Sequence, residues 1–448
     1  MALSHHSASE WEMNPAPEAP TAPETLRESG LSQGFLCDMI LRTIYTRGAM
    51  LGRDIAQFLC LPFKVIRDSL KFLKDEKALQ VDGGDLVGEV SYRFSLTELG
   101  RKRAQEAMEF CAYVGPAPVP LEDYVEQCYR QTVVGLNCYP EALKAPFSHL
   151  VLKEEMFNAI GPAIVSGRSV FIYGPPGNGK TAIARAIGEF MNNVGGSIYV
   201  PYAFLADENI ITVFDPSLHV VDDAATEGEE ETDAAVRRLL TTGAYDRRWV
   251  RIRRPVIVTG GELTLSMLDL RYFSDSNFYQ APIHFKANGG VFLIDDFGRQ
   301  QCSPRELLNR WILPLEDRHD FLTVASGKKF QVPFEQLIIF STNLDPKQLV
   351  DDAFLRRIRH KVGVTAPPRD VYERIFQYHC RRLGMNYDPS AVDYLYERYY
   401  NCGRAPRASD CRDLLEIVQS ICRYRRQPVH LTRDLIAEAA ASFIAEFQ

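Results

Sequence analysis

The 448-residue sequence predicts an α/β protein whose core is a P-loop parallel sheet, with a helical lid after it and a separate small domain before it. Three observations predict the sheet. A strand-loop-helix pattern runs over residues 169–191, and two later apolar runs, residues 290–294 and 337–340, each end in polar residues. Short apolar runs of this kind are typical of buried strands. Because ligands gather at the carboxyl ends of parallel strands, these polar residues are candidate functional residues.

The loop in the first pattern has the most specific chemistry in the chain. It reads G-x-x-x-x-G-K-T and consists of Gly174, Pro175, Pro176, Gly177, Asn178, Gly179, Lys180 and Thr181. Its glycines let the backbone curl, so that N–H groups and the start of the next helix face a polyphosphate. We expect Lys180 to reach the β- and γ-phosphates and the Thr181 hydroxyl to coordinate Mg²⁺. The alternative, a Gly/Pro-rich turn before an ordinary helix, is disfavoured by the flanking strand and helix patterns.

Two carboxylates, Asp295 and Asp296, follow the apolar run 290–294. In P-loop proteins such a pair has divided roles: the first carboxylate holds Mg²⁺ through water, and the second polarises the attacking water. A surface turn is the alternative. Asp296 is one methylene shorter than the glutamate usual at this place, so slow hydrolysis or a different water-polarising residue stays open.

Composition bounds the class of protein. The chain has 46% hydrophobic and 24% charged residues, and its length suits two or three domains. We find no apolar run of membrane-spanning length and no signal-peptide pattern, so we expect a cytoplasmic protein without membrane contact. The ten cysteines include no C-x-x-C pair, which favours reduced core thiols over zinc or disulfides. The net charge of −7 means that any nucleic-acid contact must use a local patch.

The N-terminal region divides into a tail and a small domain. Residues 1–28 are rich in Pro, Ala, Glu and Ser, which predicts a disordered tail. Within residues 31–110 the pattern predicts helices at 34–45, 51–59 and 63–76, extended segments at 78–81 and 90–96, and a helix from Thr97. This order resembles the winged helix-turn-helix family.

The third helix of that region has a basic stripe beside an apolar one. The basic stripe consists of Lys64, Arg67, Lys71 and Lys74. In a recognition helix these residues would contact phosphates and bases of DNA or RNA. The alternative is a solvated face used for protein contacts, which the near-neutral charge of the region supports.

The middle of the chain is less specific. Residues 111–147 are punctuated by prolines and predict a linker, and an amphipathic helix is expected at 151–164. A second strand is expected at 197–200. After it come an acidic loop (Asp222, Asp223, Glu227, Glu229, Glu230, Glu231, Asp233) and an arginine-dense stretch (Arg247, Arg248, Arg251, Arg253, Arg254). We interpret both as solvated charge clusters rather than as a binding site.

The second half of the chain, residues 147–448, resembles an AAA+ ATPase. The resemblance rests on the order of GPPGNGKT, VFLIDD, FSTN, the box DAFLRR at 352–357 and GRAPR at 403–407. It implies that Asn343 is sensor 1, that Arg356 or Arg357 is an arginine finger, and that Arg407 is sensor 2. A hairpin predicted at 321–334 is similar to the branch with enhancer-binding activators and MoxR-type chaperones, although the chain has no activator loop motif and no DNA-binding domain at the usual end.

The resemblance implies a core over residues 148–368 and a lid over 369–448, with helices at 369–383, 391–400, 408–424 and 432–447. It also implies ATP and Mg²⁺ as cofactors, ATP hydrolysis, and a ring or helical homo-oligomer, most plausibly a hexamer. Three functions stay open at this point: a motor that remodels a protein partner, a DNA-associated or transcription-linked ATPase that docks through the basic stripe, and a slow nucleotide-switched regulator.

Overall fold

The computed structural model describes residues 17–83, 88–222, 245–349 and 352–444. Of the predicted acidic loop, only Asp222 lies within these ranges. Among the described residues, no helix is both long and apolar enough to span a bilayer.

The N-terminal region packs four helices against a small antiparallel sheet. Its elements are α1 (Gln33–Arg47), β1 (Met50–Leu51), α2 (Gly52–Phe58), α3 (Phe63–Asp75), β2 (Leu79–Val81), β3 (Arg93–Leu96) and α4 (Glu98–Phe110). The strands pair in the order β1-β3-β2. Ser32 and Thr97 cap α1 and α4 by accepting a backbone N–H in the first turn, which explains where both helices begin. The extended segment predicted from Val90 begins later, because a 3₁₀ turn occupies Glu89–Ser91.

Two segments pack more closely than the sequence predicts. In the predicted tail, the Pro20 carbonyl accepts the Asp246 N–H at 2.7 Å, and Thr21 forms a β-bridge with Tyr245. The predicted linker contains β4 (Val119–Pro120), α5 (Leu121–Arg130) and α6 (Pro140–Lys144). Tyr124 on α5 is buried and stacks on two phenylalanine rings. The described part of the tail and the linker therefore belong to the packed body of the protein.

The nucleotide-binding half contains most of the strands. Its elements are α7 (Glu154–Ser166), β5 (Val170–Tyr173), α8 (Lys180–Gly195), β6 (Ile198–Pro201), β7 (Ala203–Ala206), β8 (Asn209–Thr212), β9 (Trp249–Ile252), β10 (Val256–Thr259), β11 (Arg271–Phe273), β12 (Phe278–Gln280), β13 (Val291–Ile294), α9 (Pro304–Arg310), α10 (Ile312–Asp317), β14 (His319–Thr323), β15 (Lys329–Pro333), β16 (Leu337–Thr342), α11 (Pro346–Leu349), α12 (Asp352–Arg357) and β17 (His360–Gly363).

A five-stranded parallel sheet with the order β10-β13-β16-β5-β17 forms the core of this half. The residues of β13 and β16 are all buried, as expected for strands covered on both faces. Ile294 is in register with Phe340, and Thr342 with Tyr173. The residues that follow β5, β13 and β16 therefore meet at one edge of the sheet.

The strand expected at 197–200 lies outside the central sheet. The strand exists as β6, but it pairs antiparallel with β9 in a separate two-stranded sheet, and β10 is the edge of the central sheet. A further five-stranded sheet has the order β11-β12-β8-β7-β4. The short strands of this sheet are joined by pairings that no local pattern encodes.

The arginine-dense stretch is not simply a solvated cluster. Arg248 is 2% exposed and pairs with Asp246, and its Nη1 donates to the carbonyls of Ser29 and Pro118. Arg254 is 4% exposed, and its Nη1 donates to the carbonyls of Gln131 and Gly289. Both guanidinium groups therefore tie distant segments together as buried, hydrogen-bonded cations.

The C-terminal helices form a core of their own. They are α13 (Arg369–Arg382), α14 (Pro389–Leu395), α15 (Ala408–Tyr424) and α16 (Arg433–Phe443), with a π-helical turn at Tyr396–Tyr400. Most of their buried apolar residues belong to one hydrophobic cluster. The predicted helix at 408–424 has the observed bounds, and the one predicted at 391–400 divides into α14 and the π turn. The hairpin predicted at 321–334 is present as β14 and β15.

Candidate nucleotide site

The glycine-rich loop lies between β5 and α8 at the carboxyl edge of the central sheet. Gly177 and Gly179 have φ of 79° and 83°, in the left-handed region that glycine adopts without strain. A Cβ on Gly174 would lie 1.9 Å from the Val364 carbonyl oxygen, so that position accommodates only glycine. The loop therefore has the backbone shape of a phosphate cradle at the start of a helix.

Lys180 is the cation of this cradle. It is 7% exposed, and its Nζ donates to the carbonyls of Gly174 and Pro175 at 2.9 and 3.0 Å and to Asn343 Oδ1 at 2.5 Å. Burial lowers the pKa of Lys180, and the charges of Asp295 and Asp296 act in the opposite direction. The Lys180 ammonium group therefore lies between the glycine-rich loop and Asn343, within the predicted site.

The two residues predicted to hold the metal are adjacent. Thr181 Oγ1 donates to Asp295 Oδ2 at 2.6 Å. Among the described residues, no group of three or more His, Cys, Asp or Glu side chains forms a metal cage. A hydroxyl beside a single carboxylate suits Mg²⁺, which keeps several waters and binds few protein oxygens.

Asp296 and Asn343 are joined directly. Asn343 Nδ2 donates to Asp296 Oδ1 at 2.7 Å, so a polar chain runs from Lys180 through Asn343 to Asp296. Asp296 has a φ of 49°, which is unusual for a residue with a side chain. Its short side chain nevertheless reaches Asn343.

Sequence reasoning missed Gln300, whose side chain bonds the backbone of the turn that contains Asp295 and Asp296. Gln300 Nε2 donates to the carbonyl oxygens of Asp295 at 2.9 Å and Asp296 at 3.3 Å. Its Oε1 accepts the Gly298 N–H at 2.8 Å. No motif marks a glutamine at this place, so only the folded structure identifies it.

A cavity of about 1050 Å³ opens over the loop. Residues 176–181 of the glycine-rich loop, the two aspartates, Asn343, residues 149–153, 155, 156 and 361–368, and the lid line it. The lid contributes Ile375, Tyr378 and Arg382 from α13 and Arg412 from α15, none of which the sequence analysis selected. Ile375, Tyr378 and Arg382 recur at helical spacing, so they lie on one face of α13. A search for the face of the predicted lid helix that points toward the nucleotide-binding half could have found them.

The lid touches the loop at the start of α15. The backbone N–H of Ala408 donates to Asn178 Oδ1 at 3.0 Å, and that of Ser409 to the Gly177 carbonyl at 2.8 Å. Arg407, the predicted sensor 2, is exposed, and its Cδ lies 3.4 Å from where a Cβ on Gly177 would be. The residue is therefore beside the loop.

The two arginines of the DAFLRR box differ in their surroundings. Arg356 is exposed. Arg357 is partly buried, its Nε donates to Glu316 Oε1 at 2.6 Å, and its guanidinium lies 5.5 Å from the centre of the Phe354 ring. Neither lines the cavity of its own chain. The structure brings together all the other predicted site residues of this half.

The basic stripe lies on α3, in the N-terminal region. All four of its side chains are exposed, while Ile66, Leu70 and Leu73 are buried beneath them. Lys64 pairs with Glu24 at 3.4 Å, and Arg67 pairs with its neighbour Asp68 at 3.4 Å. Part of the positive charge is thus compensated within the chain.

These features define a P-loop protein of the α/β class with a helical region docked on its loop. Residues 368–442, which cover nearly all of that helical region, match a domain of unknown function, DUF8689. A search of curated proteins gave no match.

Several solved structures are similar to this chain. The Thermotoga maritima RuvB P216G mutant is 12% identical, with a TM-score of 0.34 over 68% of this chain and 71% of that chain. NtrX from Brucella abortus is 15% identical, with a TM-score of 0.40 over 67% of this chain and 57% of that chain. Domain III of the Thermotoga maritima replication initiation protein DnaA is 15% identical, with a TM-score of 0.35 over 69% of this chain and 98% of that chain. These TM-scores are low, so the fold is assigned from the strand order and the loop geometry.

Proposed function

We propose that this chain is an AAA+ ATPase that binds ATP with Mg²⁺, hydrolyses it to ADP and phosphate, and uses the energy to remodel a macromolecular partner. The observation that carries the proposal is the polar chain from Lys180 through Asn343 to Asp296, beside the Thr181–Asp295 pair. Motifs that are separated by more than a hundred residues in the sequence converge on one edge of the sheet, where a triphosphate would be placed for hydrolysis.

The residues present fit a nucleoside triphosphate and a divalent cation. Asn178 is 7% exposed and its Nδ2 has no hydrogen-bond acceptor within the described part of the chain, which suits a wall that contacts phosphate oxygens. When bound, Mg²⁺ would neutralise charge on the phosphates. Lys180 would do so from the protein side, with Thr181 and Asp295 as the protein groups nearest the cation.

Asp296 is the proposed residue that polarises the attacking water, with Asn343 as its orienting partner. The Asn343–Asp296 hydrogen bond supports turnover rather than the slow-switch alternative, because the shorter carboxylate still reaches its partner.

Arg356 is the proposed arginine finger. Its side chain is exposed, whereas Arg357 is held by Glu316 of the same chain. Because Arg356 does not line its own cavity, it would act on the site of a neighbouring copy. The active form would then be a homo-oligomer, with a hexameric ring as the proposed arrangement, in which Arg407 serves as sensor 2.

A protein is the proposed partner. The ion pairs of Lys64 and Arg67 within the chain reduce the charge that the basic stripe offers to nucleic acid. The second candidate, a DNA-associated ATPase, is supported by the exposure of all four basic side chains on one helix. Duplex DNA binding that weakens with salt and is lost in a Lys71→Glu variant would favour that candidate.

The experiment that tests the proposed activity is steady-state ATP hydrolysis as a function of protein concentration. We expect the rate per subunit to rise steeply as the chains assemble, since a finger in trans supplies about 10³- to 10⁵-fold. A rate per subunit that is constant from dilute to concentrated protein would contradict the shared site. Copurification with an Asp296→Asn variant, which retains ATP, would then identify the partner.

A further inference from the structure

The first turn of α15 is capped by another part of the chain. Ala408 and Ser409 donate their backbone N–H groups to Asn178 Oδ1 and the Gly177 carbonyl. The residue at the N-cap position, Arg407, accepts no N–H with its side chain, since a guanidinium has no acceptor. The lid helices α14 and α16, in contrast, are capped locally by Asp388 and Thr432. The start of α15 therefore depends on the glycine-rich loop.

The chemistry of the contact fixes the orientation of the Asn178 amide. Ala408 presents a donor, so the carbonyl oxygen of the Asn178 side chain must face it, and Nδ2 faces away from the helix. No acceptor lies within hydrogen-bond distance of Nδ2 among the residues that the structure describes. Asn178 also lines the cavity, together with Lys180 and Thr181. One side chain thus has one end bonded to the lid and an unsatisfied donor at the wall of the nucleotide cavity.

We propose that Asn178 couples nucleotide binding to the seating of the lid. Its Oδ1 holds the first turn of α15, and its Nδ2 donates to a phosphate oxygen, so that binding fixes the amide in the orientation that α15 requires. Asn178 is a positioning residue in this role, because it acts on the lid that carries Arg407 and Arg412. The inference rests on the proposed nucleotide binding. It adds the pair of hydrogen bonds, one at each end of the Asn178 amide, that links the bound nucleotide to the lid.

Residue-resolved amide hydrogen exchange of the full chain tests the proposal, with Mg²⁺ and a non-hydrolysable ATP analogue as the probe. In the wild type, exchange at the Ala408 N–H is expected to slow when the analogue binds. Asn178→Ala should still bind the analogue through Lys180 and the loop backbone. Its Ala408 amide should exchange roughly fivefold faster than in the wild type and should no longer respond to the analogue, as the loss of one hydrogen bond predicts.

Two further variants separate the two ends of the amide. Asn178→Asp keeps an acceptor for Ala408 but loses the donor, so Ala408 should stay protected and gain nothing from the analogue. This variant also provides the test if Asn178→Ala does not fold. The matched control is Thr432→Ala, which removes the local cap of α16 away from the cavity and should keep the nucleotide-dependent protection at Ala408.

The outcomes distinguish this inference from the proposed function. If the wild type binds no analogue, the proposed nucleotide binding is wrong and the coupling with it. If the wild type binds and Asn178→Ala or Asn178→Asp retains the full nucleotide-dependent protection of Ala408, the coupling is wrong while the proposed function stands.

Discussion

Replacing Gln300 should reduce turnover without weakening nucleotide binding. The side chain of Gln300 bonds the carbonyls of Asp295 and Asp296 and the N–H of Gly298. These bonds hold Asp296 at a φ of 49°, a conformation that costs a residue with a side chain about 1–2 kcal/mol. The glutamine therefore keeps the proposed water-polarising carboxylate in a turn that the backbone would not adopt alone.

The expected size of the effect follows from these contacts. Each neutral hydrogen bond contributes a net of about 1 kcal/mol, so the three together outweigh the strain of the turn. In Gln300→Ala the turn can relax, and a shift of about 2 kcal/mol against the competent form lowers kcat roughly 30-fold. The KM for ATP should stay near the wild-type value, because the loop proposed to bind the phosphates is unchanged.

Steady-state ATPase measurements over a range of ATP concentrations check this prediction. Gln300→Glu, which keeps the acceptor for Gly298 and loses the donor, should also lower kcat. Gln301→Ala is the control, since it removes an exposed amide one residue away and should behave as the wild type. A Gln300→Ala protein with the wild-type kcat, or with a change in KM alone, would refute the reasoning.

Three further predictions concern other groups. Lys180→Ala should abolish binding of a fluorescent ATP analogue, because it removes the cation of the phosphate cradle; near-normal affinity would contradict its role. Arg356→Ala should leave nucleotide binding intact and lower turnover by about 10³-fold or more. Arg357→Ala loses an ion pair within the chain, so it should mainly lower the melting temperature. Equal turnover losses in the two variants would show that the assignment of the finger is wrong. Burial raises the pKa of Asp215, but hydrogen bonds, first that of Lys286, outweigh it and hold the pKa at about 2. The stabilisation by Asp215 is therefore present above about pH 4 and lost as the pH falls toward 2, so Asp215→Asn should flatten the pH dependence of the unfolding free energy in this window.

Local signals made part of the structure predictable. The glycine-rich loop, the apolar runs that become β13 and β16, and the helix α15 are encoded by neighbouring residues, and the structure has them at or near the predicted positions. The convergence of Asp295 and Asn343 followed from the rule that parallel strands end at one edge. These parts of the fold and the site need no knowledge of distant contacts.

The features that sequence reasoning missed depend on distant partners. Arg248 looks like a surface arginine until Ser29 and Pro118 supply its acceptors, and β6 looks like a core strand until its pairing with β9 is known. The burial of Tyr124, within the segment predicted as a linker, was missed for the same reason, because the partners that bury it come from residues 204 and 285. Gln300 belongs to this group as well, since its role depends on the turn that it holds.

Mixing two inactive variants tests the central claim most directly, that the catalytic site is shared between copies of the chain. Asp296→Asn lacks the proposed water-polarising group, and Arg356→Ala lacks the proposed finger, so each alone should be inactive. In an equal mixture, about one quarter of the interfaces combine an intact Asp296 with an intact Arg356 from the neighbour. The account predicts that ATPase activity reappears at up to about this fraction of the wild-type rate. A mixture that stays as inactive as its two components, although the chains are shown to co-assemble, would contradict it.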